Sequence, residues 1–249
     1  MSLSDRFHEM LAGHENDPAV RTQIADMVIG AADSPERDGL LALIYHEGIG
    51  VPADLDKSLE CAAHAAAVDD GLGCFMLGYI CDNNETSGKY APGDAVRFYE
   101  RCAAIGSRWQ SRAIFWLCDY YHDIFADVEH ADADLCARLF KWTEAAARHD
   151  PKKYAALLGR LYEDGTGCWP DKDKAVDCYE EACSHGDWRG AKSLARLLEQ
   201  YLAGNPAMSA AERSECESHI RALAELGEQL YKDRLLHDED DRDNSIEED

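Results

Sequence analysis

The sequence predicts an all-α protein: a right-handed α-solenoid of about five helix-turn-helix repeats, closed at each end by capping helices. Three observations predict it. Apolar residues recur at helical spacing across residues 154–186, where Leu158, Leu161 and Tyr162 fall at i, i+3, i+4 and Ala175, Cys178, Tyr179, Ala182 and Cys183 keep the same period. Turn chemistry divides that stretch in two: Gly165 and Gly167 stop the first helix, Pro170 lies in the connection, and Asp171 or Asp173 caps the second. The pattern then repeats. Gly159 stands three residues before an aromatic and six before a turn glycine, and its slot is filled elsewhere by Ala42, Gly78, Cys118 and Ala195, at steps of 36, 40, 41 and 36 residues. All five are small, as close helix crossings require. A lone helical hairpin cannot bury its own apolar face, so copies at this period imply stacking.

The elements follow in order. Residues 1–34 carry two short helices, about 3–13 and 18–32, as an N-terminal cap or degenerate repeat. Residues 35–203 hold the array, with first helices near 36–47, 71–82, 109–123, 152–163 and 188–202 and second helices near 54–68, 92–104, 132–148 and 171–184. The second-helix signature Tyr179, Ala182, Cys183, Gly186 is matched by Tyr99, Cys102, Ala103, Gly106 and more loosely by Ala62, Ala65, Ala66 and Trp142, Ala145, Ala146. Gly204-Asn205-Pro206 breaks the chain. A C-terminal capping helix then fills 204–236, with Ile220, Leu223, Leu226 and Leu230 in one stripe and Ser209 and Glu212 at capping-box spacing. Residues 237–249 have almost no apolar side chains and are expected to be a disordered acidic tail.

Gly165-Thr166-Gly167, Pro170, Asp171, Lys174-Ala175 and Tyr179, echoed by Gly48-Ile49-Gly50, Pro52, Asp54 and Lys57-Ser58, resemble the Sel1-like repeat, the longer-looped relative of the tetratricopeptide repeat. The resemblance covers about 39–201 and departs in the second and third copies, where longer linkers, 83–92 and 124–131, replace the turn glycines. It implies a scaffold, adaptor or partner-binding protein rather than one chemistry. In the family's cysteine-rich secreted branch, cysteines pair across an eight-residue spacing. Here Ala66, Gln110 and Ala191 stand where partners of Cys74, Cys102 and Cys183 would be. The ten cysteines therefore read as small apolar residues of a reducing compartment.

Totals narrow the function. The 46% apolar content supports a core, and no stretch has the ~20 apolar residues of a membrane span. The opening residues carry acids and no signal-peptide core, so a cytoplasmic location is expected. Net charge is −24, and the body keeps −18 when 232–249 are set aside. Such acidity disfavours nucleic acid and anionic membranes and favours a basic protein partner, or serves solubility alone. No CxxC, zinc-ligand spacing, phosphate loop or nucleophile–base spacing occurs, so no catalytic residue, cofactor or metal is expected.

Tetratricopeptide geometry, carried over with the resemblance, puts the partner-binding slots on the first helices: three before, one after and four after the small residue. The slots are Gly39, Leu43 and His46; Phe75, Tyr79 and Asp82; Phe115, Asp119 and His122; Ala156, Arg160 and Glu163; Lys192, Arg196 and Glu199. The candidate partner-binding residues are Phe75, Tyr79, Asp82, Arg112, Phe115, Asp119, His122, Arg160, Lys192 and Arg196. Aromatics rimmed by carboxylates suit a basic or amphipathic segment. The bland alternative is that these aromatics are core. The leading expectation is a non-enzymatic interaction module gripping a partner through the concave face. One alternative is an immunity or antitoxin-like inhibitor of a basic bacterial toxin. A minor one, drawn from secreted relatives, is a β-lactam-binding or hydrolysing protein.

Overall fold

In the computed structural model, residues 1–86 and 88–244 are described, with side chains through Leu236. They form twelve α-helices, a single 3₁₀ turn and no strand. By contact density the chain falls into two units, residues 1–119 and 120–249, each treated on its own.

In the first unit α1 (Leu3–Leu11) and α2 (Pro18–Ile29) precede the hairpin α3 (Pro35–Glu47) and α4 (Leu55–Ala67). The second hairpin follows, α5 (Gly71–Asp82) and α6 (Ala95–Ile105), with the 3₁₀ turn Pro92–Asp94 leading into α6. Helix α7 (Gln110–Asp127) runs across the boundary between the units. The second unit continues with α8 (Ala133–His149), α9 (Pro151–Asp164), α10 (Lys172–Ser184), α11 (Trp188–Gly204) and α12 (Ala210–Asn244). The helices stand where the periodicity puts them. Three differences concern length: α7 extends to Asp127 and absorbs the start of the 124–131 linker, α1 and α2 end two to three residues early, and α12 continues past 236 to Asn244. Residues 245–249 of the expected tail lie outside the described residues.

The helix ends explain the register. Asp17, Ser34, Asp54, Asp70, Asp132, Asp150, Asp171 and Asp187 each accept a backbone N–H of the following first turn, and Pro18, Pro35 and Pro151 occupy that turn. Between the two caps offered by the sequence, Asp171 does the work. The Ser209–Glu212 capping box forms, with backbone bonds of 3.0 and 3.3 Å. Gly48 and Gly165 end their helices at φ +63° and +70°, where a Cβ is penalised. The second turn glycines have another task. A Cβ on Gly167 would run into the Cys136 carbonyl of α8, and one on Gly50 into the Arg21 carbonyl of α2. Helix α2 therefore meets the turn of the first repeat as α8 meets that of the fourth.

The small-residue slots are core. Ala42 and Cys118 are fully buried, and Gly78 and Gly159 face tyrosines of the second helix. A Cβ on Gly159 would lie 2.6 Å from the Tyr179 ring, and one on Gly78 3.1 Å from Tyr99. All ten cysteines are free. Four are buried, and burial pushes thiols such as Cys74 and Cys81 up to about 11 and Cys102 to about 12, out of nucleophile range.

Candidate functional site: an aromatic groove in the first unit

Three first-helix slots of the first unit, Leu43, Phe75 and Tyr79, line one cavity of about 360 Å³, and Gly39, His46, Asp82, Phe115 and Asp119 do not. Leu43 comes from α3, Phe75 and Tyr79 from α5, Arg112 from α7, and Trp109 from the residue just before α7. These positions share a side because 75 and 79 are one helical turn apart, and 43 is the counterpart of 79 in the preceding repeat. The rings interlock. Phe75 stacks on Trp109 at 5.2 Å and meets Tyr99 edge-on at 5.6 Å; Arg112 lies over Trp109 at 4.9 Å. Phe75 is thus half core and half groove, while Tyr79 stays 37% exposed. Sequence reading placed Phe75, Tyr79 and Arg112 here and missed Trp109, which lies nine residues before the Cys118 slot and outside the spacing rule.

The fourth wall is α1. Phe7, His8 and Leu11 line the same cavity, Phe7 is fully buried, and the His8 ring lies 5.9 Å from Trp109. The Ser4 N–H donates to Glu36 of α3 at 2.8 Å. Helix α1 therefore does more than cover the end of the stack; it lies along the first-helix face. The spacing of Phe7 and Leu11, one turn apart, carried that signal.

The charged lining of the groove is mixed, Glu47 against Arg112. Glu47 lines it, and His46 beside it bridges Glu47 at 2.7 Å and Glu85 at 2.9 Å while meeting the Tyr79 ring at 5.1 Å. Burial alone would lower the His46 pKa, but its bonds to Glu85 and Glu47 outweigh that and raise it. Asp82 is exposed and accepts the Trp116 indole N–H at 2.9 Å. Phe115 is half-buried and Asp119 exposed on the outer turns of α7.

The other expected residues belong to the second unit, where the cations have structural partners. Arg196 clamps Glu163 through bonds of 2.7 and 2.6 Å, and the Tyr179 hydroxyl donates to the same carboxylate at 2.9 Å. Lys192 lies over Trp188 at 5.7 Å, Arg160 stands 4.0 Å from Asp164, and His122 is 3.6 Å from Asp123. Arg189 is held by buried Asp187 at 2.9 Å and donates to the Lys153 carbonyl. Among the described residues no group of three or more His, Cys, Asp or Glu side chains is placed to hold a metal ion, and no helix is long and apolar enough to cross a membrane.

The fold has a counterpart among solved structures. A Sel1 repeat protein from Oxalobacter formigenes superposes with a TM-score of 0.54 at 19% identity, over 86% of this chain and 82% of that one. The chain has the Sel1-repeat fold. A protective antigen of uropathogenic Escherichia coli, described as displaying an SLR fold, matches at a TM-score of 0.41 and 18% identity, over 92% of this chain and 59% of that one. No family model and no curated protein matches the sequence. Within this fold, Gly159 against Tyr179 and Gly78 against Tyr99 set the close packing of the two helices of a repeat, so these glycines are structural.

Proposed function

We propose that this chain is a non-enzymatic protein-interaction module that grips a partner segment in the aromatic groove of its first unit. One observation carries the reading: an aromatic-walled cavity on the first-helix face, with Glu47 in its lining. Phe75, Tyr79 and Trp109 supply rigid apolar area, the usual source of binding energy at small interfaces. Glu47, half exposed in the lining, favours a cationic group on the partner. The seating of Phe7 and Leu11 against this wall illustrates the matching ligand, a helix with apolar residues one turn apart.

The test is affinity capture from the native host with wild type and the double variant Phe75→Ala/Tyr79→Ala. A partner retained by wild type and lost by the variant, with helicity unchanged, supports the reading; undiminished capture refutes it. The net charge of −24 favours a second, narrower reading, an immunity-type inhibitor of a basic toxin. A toxin gene beside this one, whose product the purified chain inhibits, would select that reading.

A further inference from the structure

The small-residue slot leads to a second binding site. The residue three positions after it is Tyr45, Tyr121 and Tyr162 in the first, third and fourth repeats. Each tyrosine is covered by a cation from the second helix of its own repeat: Lys57 over Tyr45 at 5.3 Å, Arg138 over Tyr121 at 5.9 Å and Lys174 over Tyr162 at 5.2 Å. Arg138 also donates to the Tyr121 hydroxyl at 3.1 Å. In the fourth repeat the ring and its cation both line the hollow between α8 and α10.

The fifth repeat lacks both halves. Leu198 stands in the tyrosine slot. At the third position after the Ser209 cap, where Lys57 follows Asp54 and Lys174 follows Asp171, stands Glu212, whose carboxylate folds back on Ser209 at 2.7 Å. The consequence is visible as space. The hollow between α8 and α10, with Tyr162 in its wall, measures about 490 Å³. Its counterpart between α10 and α12, over α11, measures about 960 Å³. Its walls are Val176, Leu194, Leu197, Leu198, Leu223 and Leu226. Tyr201 at the edge is 55% exposed and Leu226 41%. An apolar hollow of this size is in the range of ligand pockets.

We infer that this cleft receives a basic amphipathic helix from another protein, which supplies the apolar and cationic groups missing from the fifth repeat. Charge selects the occupant. The rim carries Asp173 and Glu180 against Lys172 and His219. The wall helix α12 is itself acidic toward its end: residues 237–249, which include its last turns, hold eight acids and one arginine. A second copy of a −24 chain is repelled by the same charge that attracts a basic helix.

The probe is a fluorescent helical peptide made only of leucine and lysine in amphipathic order, with a scrambled peptide of the same composition as control. Binding is measured by anisotropy on the full chain. Wild type is expected to prefer the amphipathic peptide. Leu226→Arg is expected to weaken it at least about tenfold, the loss of one apolar anchor. Leu198→Tyr, which rebuilds the ring found in neighbouring repeats, is expected to weaken it comparably without lowering the melting temperature. Because the groove takes the same class of segment, the comparison is repeated in the Phe75→Ala/Tyr79→Ala background, where Leu226→Arg is still expected to weaken binding at least about tenfold, so this site and the groove fail or stand separately. Equal affinity of all variants, or of the scrambled peptide, overturns the inference. So does a neutral apolar dye, N-phenyl-1-naphthylamine, whose binding is lost in Leu226→Arg while the peptide still binds, since the cleft then takes small molecules. A dimer seen by sedimentation in wild type and dissociated by Leu226→Arg also overturns it.

Discussion

At the scale of single residues, the packing of this chain is a matter of matched sizes. Gly159 is fixed by the Tyr179 ring, so Gly159→Ala forces a Cβ to within 2.6 Å of an aromatic carbon. The expected cost is about 1–3 kcal/mol, read from urea unfolding. In the first repeat the corresponding positions hold Ala42 and Ala62, both fully buried. His46 yields a pH prediction. Its folded pKa is raised above the ordinary 6.5. Its ion pairs therefore contribute fully below that ordinary value and fade as pH rises through the folded value. At high pH the neutral ring has one N–H and can serve only one of Glu47 and Glu85. His46→Gln is expected to destabilise by about 1 kcal/mol at pH 5.5 and by much less at pH 8, the partner Glu47 being half exposed. Equal losses at both pH values would remove the ion pairs from the account. The small-residue slots were legible in sequence because a steric requirement leaves a compositional mark at a fixed period. Trp109 and Phe7 were not, because they reach the groove from outside the repeat register, one from a loop and one from α1.

At the scale of elements, the helices were legible almost residue for residue, since aspartate caps, proline at the first turn and glycine at the last announce both ends. What spacing could not give was the use of charge. Arg196 and Glu163 fell in groove slots, yet they bind each other and join α9 to α11 while Tyr179 of α10 donates to the same carboxylate. Glu163→Gln leaves volume intact and removes the ion pair. It is expected to cost about 1 kcal/mol, a hydrogen-bonded pair discounted for the exposure of Arg196. The Arg196 and Tyr179 bonds hold the Glu163 carboxyl below its ordinary range despite burial. Its contribution is therefore present at neutral pH and lost as pH falls through that lowered value, the opposite trend to His46. Chemical denaturation of the variant at pH 7 and pH 4 checks both the size and the sign.

At the scale of the whole molecule, the two units carry different surfaces. The first presents an aromatic groove partly lined by its own α1. The second ties its cations into structural pairs and opens an apolar cleft where the fifth repeat drops the tyrosine and the lysine. A net charge of −24 favours basic partners for both, so binding at either is expected to weaken as ionic strength rises past the physiological range, where screening acts within about 8 Å. The central claim concerns the groove, and quantitative affinity capture tests it most directly. Wild type and Phe75→Ala/Tyr79→Ala, matched in helicity and melting temperature, are used side by side on one native extract, and the retained proteins are compared. The account predicts a protein enriched on wild type and reduced at least about tenfold on the variant. The same proteins in the same amounts on both would contradict it.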